Sequence, residues 1–146
     1  MKLIPSLIAG ACGAVFLNVI HESMRQFIPE APRVDLIGRQ LVAQTFLAMN
    51  EPPPPDSKEY ALAMTGDILS NTIYYGLVGI GTRHRAPLRG LILGAIGGWG
   101  AVKAPNYLDL PQDAVQRHPA TRVMTVAWYT LGGLAAGIAA RRFAAS

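Results

Sequence analysis

The sequence contains few charged residues and a single cysteine. Charged residues make up 15% of the chain, against about 25% in soluble globular domains. Because Cys12 has no second cysteine to pair with, no disulfide can form within the chain. Charge is missing altogether from 3–20 and 123–140, and 60–81 carries only Asp67. Such runs leave too little polar sequence to cover a soluble fold, so we expect an integral membrane protein.

The motifs of common catalytic and nucleotide-binding sites are also missing. The sequence has no His-Glu-x-x-His or paired-cysteine spacing, no phosphate loop after a strand, and no nucleophile beside a base. We therefore expect no cofactor. A net charge of +4 is compatible with a nucleic-acid partner, but the basic residues lie where membrane topology requires them, so we expect none.

Four apolar segments predict an all-α fold, a four-helix membrane bundle in a single domain over 1–146. A hydrocarbon core ~30 Å thick is crossed by about 20 helical residues. We place the spans at about 3–20, 60–81, 88–103 and 123–140. The first run is longer than the apolar core of a signal peptide, so we expect it to be retained as a helix.

Basic residues predict the orientation of this bundle. One side carries basic residues and no acid: Lys2, Arg83, Arg85, Arg89, Arg141 and Arg142. On the other side basic residues are balanced by acids. Cytoplasmic loops are enriched in Lys and Arg, so we expect both termini in the cytoplasm. Glycine- and alanine-rich spans with paired arginines favour a bacterial inner membrane.

The outer loop over 21–59 is predicted to contain one short helix, at 36–49, with Asp35 as its N-cap. Apolar residues wrap most of the circumference of this helix. Two placements therefore stay open, in the membrane interface or packed on the bundle. Pro52–Pro55 predicts a stiff, extended connection to the next span.

Glycines repeat at a spacing of four residues in the third and fourth spans. The positions are Gly90, Gly94 and Gly98, then Gly133 and Gly137. In membranes this spacing forms a surface, often called a glycine zipper, against which another helix packs closely. The other helix can belong to this chain, to a second copy or to another membrane protein.

Asp67 is the most informative polar residue, because it is expected about 10 Å below the outer start of its span. Asn71 and Tyr74 follow at helical spacing and share its face. An ionisable residue at this depth is a functional hypothesis, here a proton- or cation-binding acid. The alternative is a structural polar clamp between helices.

A second polar face follows the first span, where Asn18, His21, Glu22 and Arg25 recur at helical spacing. His118 lies in the second outer loop, on the same side of the membrane. With Asp67, these residues define a candidate polar site of His21, Glu22, Asp67, Asn71, Tyr74 and His118. His21, Glu22 and His118 are weak candidates for metal ligands, because they lack a compact ligand spacing.

Three function classes fit these residues. The sequence favours an accessory or assembly subunit that binds lipid or other membrane proteins, with the bilayer and a homo-oligomer or another membrane protein as partners. An oligomeric transporter coupled through Asp67 is the first alternative. The second alternative is a membrane-embedded enzyme that uses His21, Glu22, Asp67 and His118. Of the three classes, the sequence favours those without catalytic activity.

Overall fold

The computed structural model of the protein describes residues 3–143, which form helices joined by loops and short 3-10 turns. Over these residues the α-helices are α1 (Leu3–Met24), α2 (Val34–Ala48), α3 (Asp56–Gly76), α4 (Ala86–Lys103), α5 (Asp113–Gln116) and α6 (Pro119–Phe143). The 3-10 turns cover Leu77–Gly79, Arg83–Arg85 and Ala104–Asn106. This described part of the chain contains no β-strand, so the all-α prediction is confirmed.

Two helices, α1 and α6, are long and apolar enough to cross a membrane, judged by length and composition alone. Their most apolar windows have mean hydropathies of 2.1 and 1.5. Over the residues described, α3 and α4 do not meet the same criterion. Charged residues occupy the first turn of α3, and the many glycines of α4 contribute little hydropathy.

Proline and acidic residues define where several helices begin. Pro55 precedes α3, Pro87 lies in the first turn of α4, and α6 begins at Pro119. These positions suit proline, because the first N–H groups of a helix have no partner within it. The negative charges of Asp56 and Glu59, in the first turn of α3, interact favourably with the positive end of the helix dipole. Consequently α3 begins before the span predicted at 60–81.

The chain reverses between α3 and α4 through a 3-10 turn and a left-handed glycine. Gly81 has a φ of +98°, a conformation that side chains rarely adopt. The guanidinium of Arg89 donates to the carbonyl oxygens of Val78, at 2.6 and 3.1 Å, and Thr82, at 3.0 Å. Arg89 thus ties the start of α4 to the backbone of the connection that follows α3.

Glycines bring α4 and α6 into backbone contact. A methyl group added at Gly98 would lie 2.6 Å from Cα of Val126, and one at Gly137 would lie 2.6 Å from Cα of Pro87. Between them, Gly90 and Gly133 face each other so closely that either methyl would collide with the carbonyl oxygen of the opposite glycine. Small residues allow this close approach of helices.

The small-residue face of α1 packs between α3 and α6. Gly10 lies against the backbone of α3 at Gly76, and Gly13 lies against Gly132 of α6. Tyr75 of α3 is completely buried beside this contact. The core is therefore built from glycine, alanine and a few large side chains, and α1 contacts two other long helices at once.

Helix α2 lies on α3. A methyl group added at Gly38 would lie 3.1 Å from Cβ of Ala63, and Arg39 pairs with Glu59 at 2.8 Å. Asp35 does not cap α2: the N-cap position is Arg33, without a side-chain cap. Instead, Asp35 lies inside the first turn and accepts two hydrogen bonds from the Arg33 side chain, both 2.8 Å.

The surface of the long helices is apolar, while several polar side chains are buried. Ile73 of α3 is 66% exposed and Trp99 of α4 is 62% exposed. The buried polar side chains are Ser6, Asn18, His21, Asp35, Asn71, Thr121 and Thr125. Many large apolar side chains on the surface, together with buried polar ones, depart from the usual distribution in water-soluble proteins.

Candidate functional site

Asp67 accepts hydrogen bonds from two amide side chains, one on α1 and one on its own helix, α3. Its carboxylate accepts a hydrogen bond of 2.7 Å from Asn18 and one of 3.0 Å from Asn71. The same Asn18 amide donates to the carbonyl oxygen of Ala14 at 3.1 Å. Among the residues described, no lysine, arginine or histidine forms an ion pair with Asp67. The carboxylate is therefore held by neutral donors.

Tyrosine hydroxyls connect α3 to α4 and α6. Tyr74 donates to the carbonyl oxygen of Leu93 at 2.7 Å, and Tyr75 donates to that of Tyr129 at 2.8 Å. Tyr74 shares a helical face with Asp67, yet its hydroxyl binds α4 and not the carboxylate. Both hydroxyls are thus used in helix packing.

His21 is buried in an aromatic environment. It is 2% exposed, and its ring lies edge-on to Trp128, with centroids 5.1 Å apart, and to Tyr129, at 6.0 Å. Neither ring nitrogen has a hydrogen-bond partner among the described residues. The imidazole therefore packs as an aromatic side chain.

Glu22 belongs to an ion-pair cluster that ties the end of α1 to the start of α2. Arg25 binds Glu22 at 2.7 Å and approaches Asp35 at 3.5 Å. Burial would raise the pKa of Asp35, but the hydrogen bonds from Arg33 and the charges of Arg33 and Arg25 outweigh it and hold that pKa below its ordinary value. This cluster fixes the loop between α1 and α2.

The predicted polar site is only partly assembled. Asp67 and Asn71 are hydrogen-bonded, whereas His21 packs against Trp128 and Tyr129 and Glu22 pairs with Arg25. The exposed side chain of His118, just before α6, makes no hydrogen bond or ion pair with a described residue. Between residues 3 and 143, no three His, Cys, Asp or Glu side chains are grouped so as to hold a metal ion.

An apolar pocket of about 600 Å³ opens beside Asp67. One wall is the face of α2 that carries Ile37, Leu41 and Thr45, at helical spacing. The opposite wall comes from α3, including Asp67 and Ser70, and the end of α4 and the following turn close one side. Among its lining residues, all of them in the described range, Asp67 is the single charged side chain.

Sequence reasoning missed this pocket and two of its features. Gly66 lines the pocket, and a methyl group added there would meet nothing within 4 Å. Within the described chain Asp35 is the single buried residue of α2, so the apolar face of that helix borders the cavity and is not packed in a core. The regular spacing of Val34, Ile37, Leu41 and Thr45 was the available signal.

Comparison with protein-family models, with curated proteins and with solved structures gives no match for this chain.

Proposed function

We propose that the protein is a small four-helix protein of the bacterial inner membrane that binds an amphiphilic molecule in the pocket between α2 and α3. Binding of this kind is an accessory role, by which a small subunit holds a lipid-like molecule or presents it to other membrane proteins. The observation that carries the proposal is the cavity of about 600 Å³ with an apolar lining and one carboxylate.

The apolar surface of α3 and α4 supports a membrane location for all four long helices. Leu69 and Ile73 of α3 and Leu77 of the following 3-10 turn recur every four residues. Leu88, Ile92 and Ile96 do the same along α4, and all six side chains are exposed. Contiguous exposed apolar faces on several helices are unfavourable in water. In a bilayer they face hydrocarbon, and the buried side chains of Asn18, Asn71, Thr121 and Thr125 hydrogen-bond within the bundle.

The size and lining of the pocket support a small-molecule ligand. Ligand sites commonly measure about 300–1,000 Å³ and combine apolar walls with a few polar groups. The apolar face of α2 lines this space, and within the described chain Asp35 is the single buried residue of that helix. A ligand with an alkyl or ring body would bury that face and gain hydrophobic free energy.

Asp67 supports a ligand that carries a positive amine. Its carboxylate accepts hydrogen bonds from Asn18 and Asn71, and no described cation neutralises it. A carboxylate removed from water is strongly stabilised by an opposite charge. An ammonium group at the pocket wall would supply that charge while the apolar body lies along α2.

Cation-coupled transport is a second candidate, favoured by the same position of Asp67 at a cavity wall. It requires Asp67 to exchange its cation across the membrane. The hydrogen bonds to Asn18 and Asn71 tie the carboxylate to two helices, which suits a fixed binding site better than a moving one. Flux through proteoliposomes that depends on Asp67 would favour transport over binding alone.

Binding is tested with three probes that share one alkyl chain: dodecylamine, dodecanol and dodecanoate. The protein is placed in phosphatidylcholine nanodiscs and its thermal unfolding is followed. We expect dodecylamine to raise the Tm by about 3 °C at roughly ten times its Kd. Dodecanol should act more weakly and dodecanoate least, because Asp67 repels a second carboxylate.

Gly66→Leu and Gly100→Leu are the matched variants. A methyl group added at either glycine would meet nothing within 4 Å, but only Gly66 lines the pocket. Gly66→Leu should remove the effect of all three probes, whereas Gly100→Leu should keep it. Asp67→Asn should remove the preference for the amine over the alcohol. Equal responses of the two leucine variants, or no stabilisation by any probe, would overturn the proposal.

A further inference from the structure

A second cleft lies at the start of α4 and the end of α6, away from the pocket beside Asp67. Its volume is about 740 Å³, and its lining combines the turn before α4 with the end of α6. The lining residues are Arg83, His84, Pro87, Ile138, Arg141 and Arg142. Two segments distant in sequence thus bring three arginines to one concave surface.

The arginines of this cleft have no partners within the described chain. Neither Arg83, Arg141 nor Arg142 forms a hydrogen bond or ion pair through its side chain with residues 3–143, and all three are exposed. Arg89, in contrast, is committed to the carbonyl groups of Val78 and Thr82. The lining contains no acid, so the cleft holds concentrated, uncompensated positive charge.

Apolar side chains from the first turn of α4 and from α6 line the cleft beside its arginines. Pro87, in that first turn, lines the cleft beside Arg83. Ile138 supplies an apolar contact and is 48% exposed on the outer surface of α6. Guanidinium groups next to an apolar contact suit a phosphate attached to a lipid.

We propose that this cleft binds the phosphate headgroup of an anionic membrane lipid. Arg83 approaches the phosphate from the turn before α4, and Arg141 and Arg142 approach it from the end of α6. The lipid thereby bridges the two helix ends that Gly90, Gly133 and Gly137 bring together. This site is independent of the amphiphile pocket, which lies at the opposite ends of the helices.

The test compares Arg83→Gln with Arg85→Gln in nanodiscs that contain increasing fractions of phosphatidylglycerol in phosphatidylcholine. Both arginines belong to the same 3-10 turn, are exposed and lack ion pairs in the described structure, but only Arg83 lines the cleft. We expect phosphatidylglycerol to raise the Tm of the unmodified protein. Arg83→Gln should shift the half-saturating lipid fraction upward about fivefold, and Arg85→Gln less than twofold.

Two further arms separate the possible sources of the effect. Arg141→Gln, on the other wall, should reproduce the shift of Arg83→Gln. Inorganic phosphate, compared with chloride at equal ionic strength in phosphatidylcholine nanodiscs, should give no stabilisation. Equal shifts for Arg83→Gln and Arg85→Gln would mean a diffuse surface potential and overturn the site. Stabilisation by inorganic phosphate alone would overturn the lipid as its ligand, and no response to phosphatidylglycerol would overturn both.

Discussion

His21 and Asn18 are buried one turn apart on α1, but within the described structure only Asn18 forms side-chain hydrogen bonds. Asn18 donates to Asp67 and to the carbonyl oxygen of Ala14. His21 lies between aromatic rings, and its nitrogens are unpaired in the described structure. A buried polar group without a partner weakens a fold, whereas a paired one does not.

His21→Leu should therefore leave the free energy of unfolding within about 1 kcal/mol of the unmodified protein, or raise it. Leucine keeps the apolar contacts with Trp128 and removes two unpaired nitrogens. Asn18→Leu, the comparison variant, should destabilise by about 1 kcal/mol or more, because Asp67 loses a donor. Thermal or denaturant unfolding in nanodiscs measures both. A loss at His21 as large as that at Asn18 would show that the imidazole has a polar role.

The sequence predicts hydrogen bonds between side chains one helical turn apart, but it does not predict those between different helices. Asn71 follows Asp67 by one helical turn, so their hydrogen bond is implied by helix geometry. The bond from Asn18 to Asp67 depends on how α1 docks against α3, which periodicity does not specify. The same limit applies to Tyr74, whose hydroxyl binds the carbonyl oxygen of Leu93 on α4.

The close packing of α4 against α6 depends on glycines, which have no side chain to separate the two backbones. Gly90 and Gly133 meet backbone to backbone, and Gly94 and Gly98 continue the contact along α4. Glycine lowers intrinsic helix stability, so these positions gain their value from packing. Gly100, on the same helix, has open space around it.

Gly90→Ala and Gly100→Ala should consequently have opposite effects. At Gly90 the added methyl collides with the carbonyl group of Gly133, so α4 and α6 must separate and the protein should lose about 1–3 kcal/mol of stability. At Gly100 the methyl meets nothing, and higher helix propensity should stabilise by up to ~1 kcal/mol. Unfolding in nanodiscs distinguishes the two. Similar effects of both substitutions would mean that the close contact does not limit stability.

Element boundaries were partly accessible from the sequence. The prolines before α3 and at the start of α6 indicate where those helices begin. The position of α2 was not accessible, because its apolar residues surround the helix and the sequence does not specify which face meets α3. Asp35 shows a related limit: it resembles an N-cap, but in the structure it lies inside the first turn of α2 and pairs with Arg33 and Arg25.

For the whole molecule, the number of membrane crossings determines on which side of the membrane each loop lies. By hydropathy alone only α1 and α6, among the residues described, could cross. The exposed apolar faces of α3 and α4 support four crossings. The two arrangements differ in where the turn at 82–85 lies relative to the loop at 50–55.

Reporter insertions decide between these arrangements. With four crossings, a reporter after Glu51 should lie outside the cytoplasm, one after Thr82 inside, and one after Ser146 inside. The reason is that Arg83, Arg85 and Arg89 hold their turn on the cytoplasmic side. An enzymatic reporter active only outside, paired with a fluorescent reporter active only inside, measures each position. A reporter after Thr82 on the same side as one after Glu51 would contradict four crossings.

The two contacts of α1 are made with helices that are synthesised at different times. Gly10 of α1 meets α3, whereas Gly13, less than one turn away, meets α6. At typical translation rates, α6 leaves the ribosome several seconds after α3. During that interval α3 is present for α1 to pack against, but the α6 backbone that covers Gly13 is not. A newly made chain therefore carries an unpaired small-residue surface on α1 until α6 is synthesised.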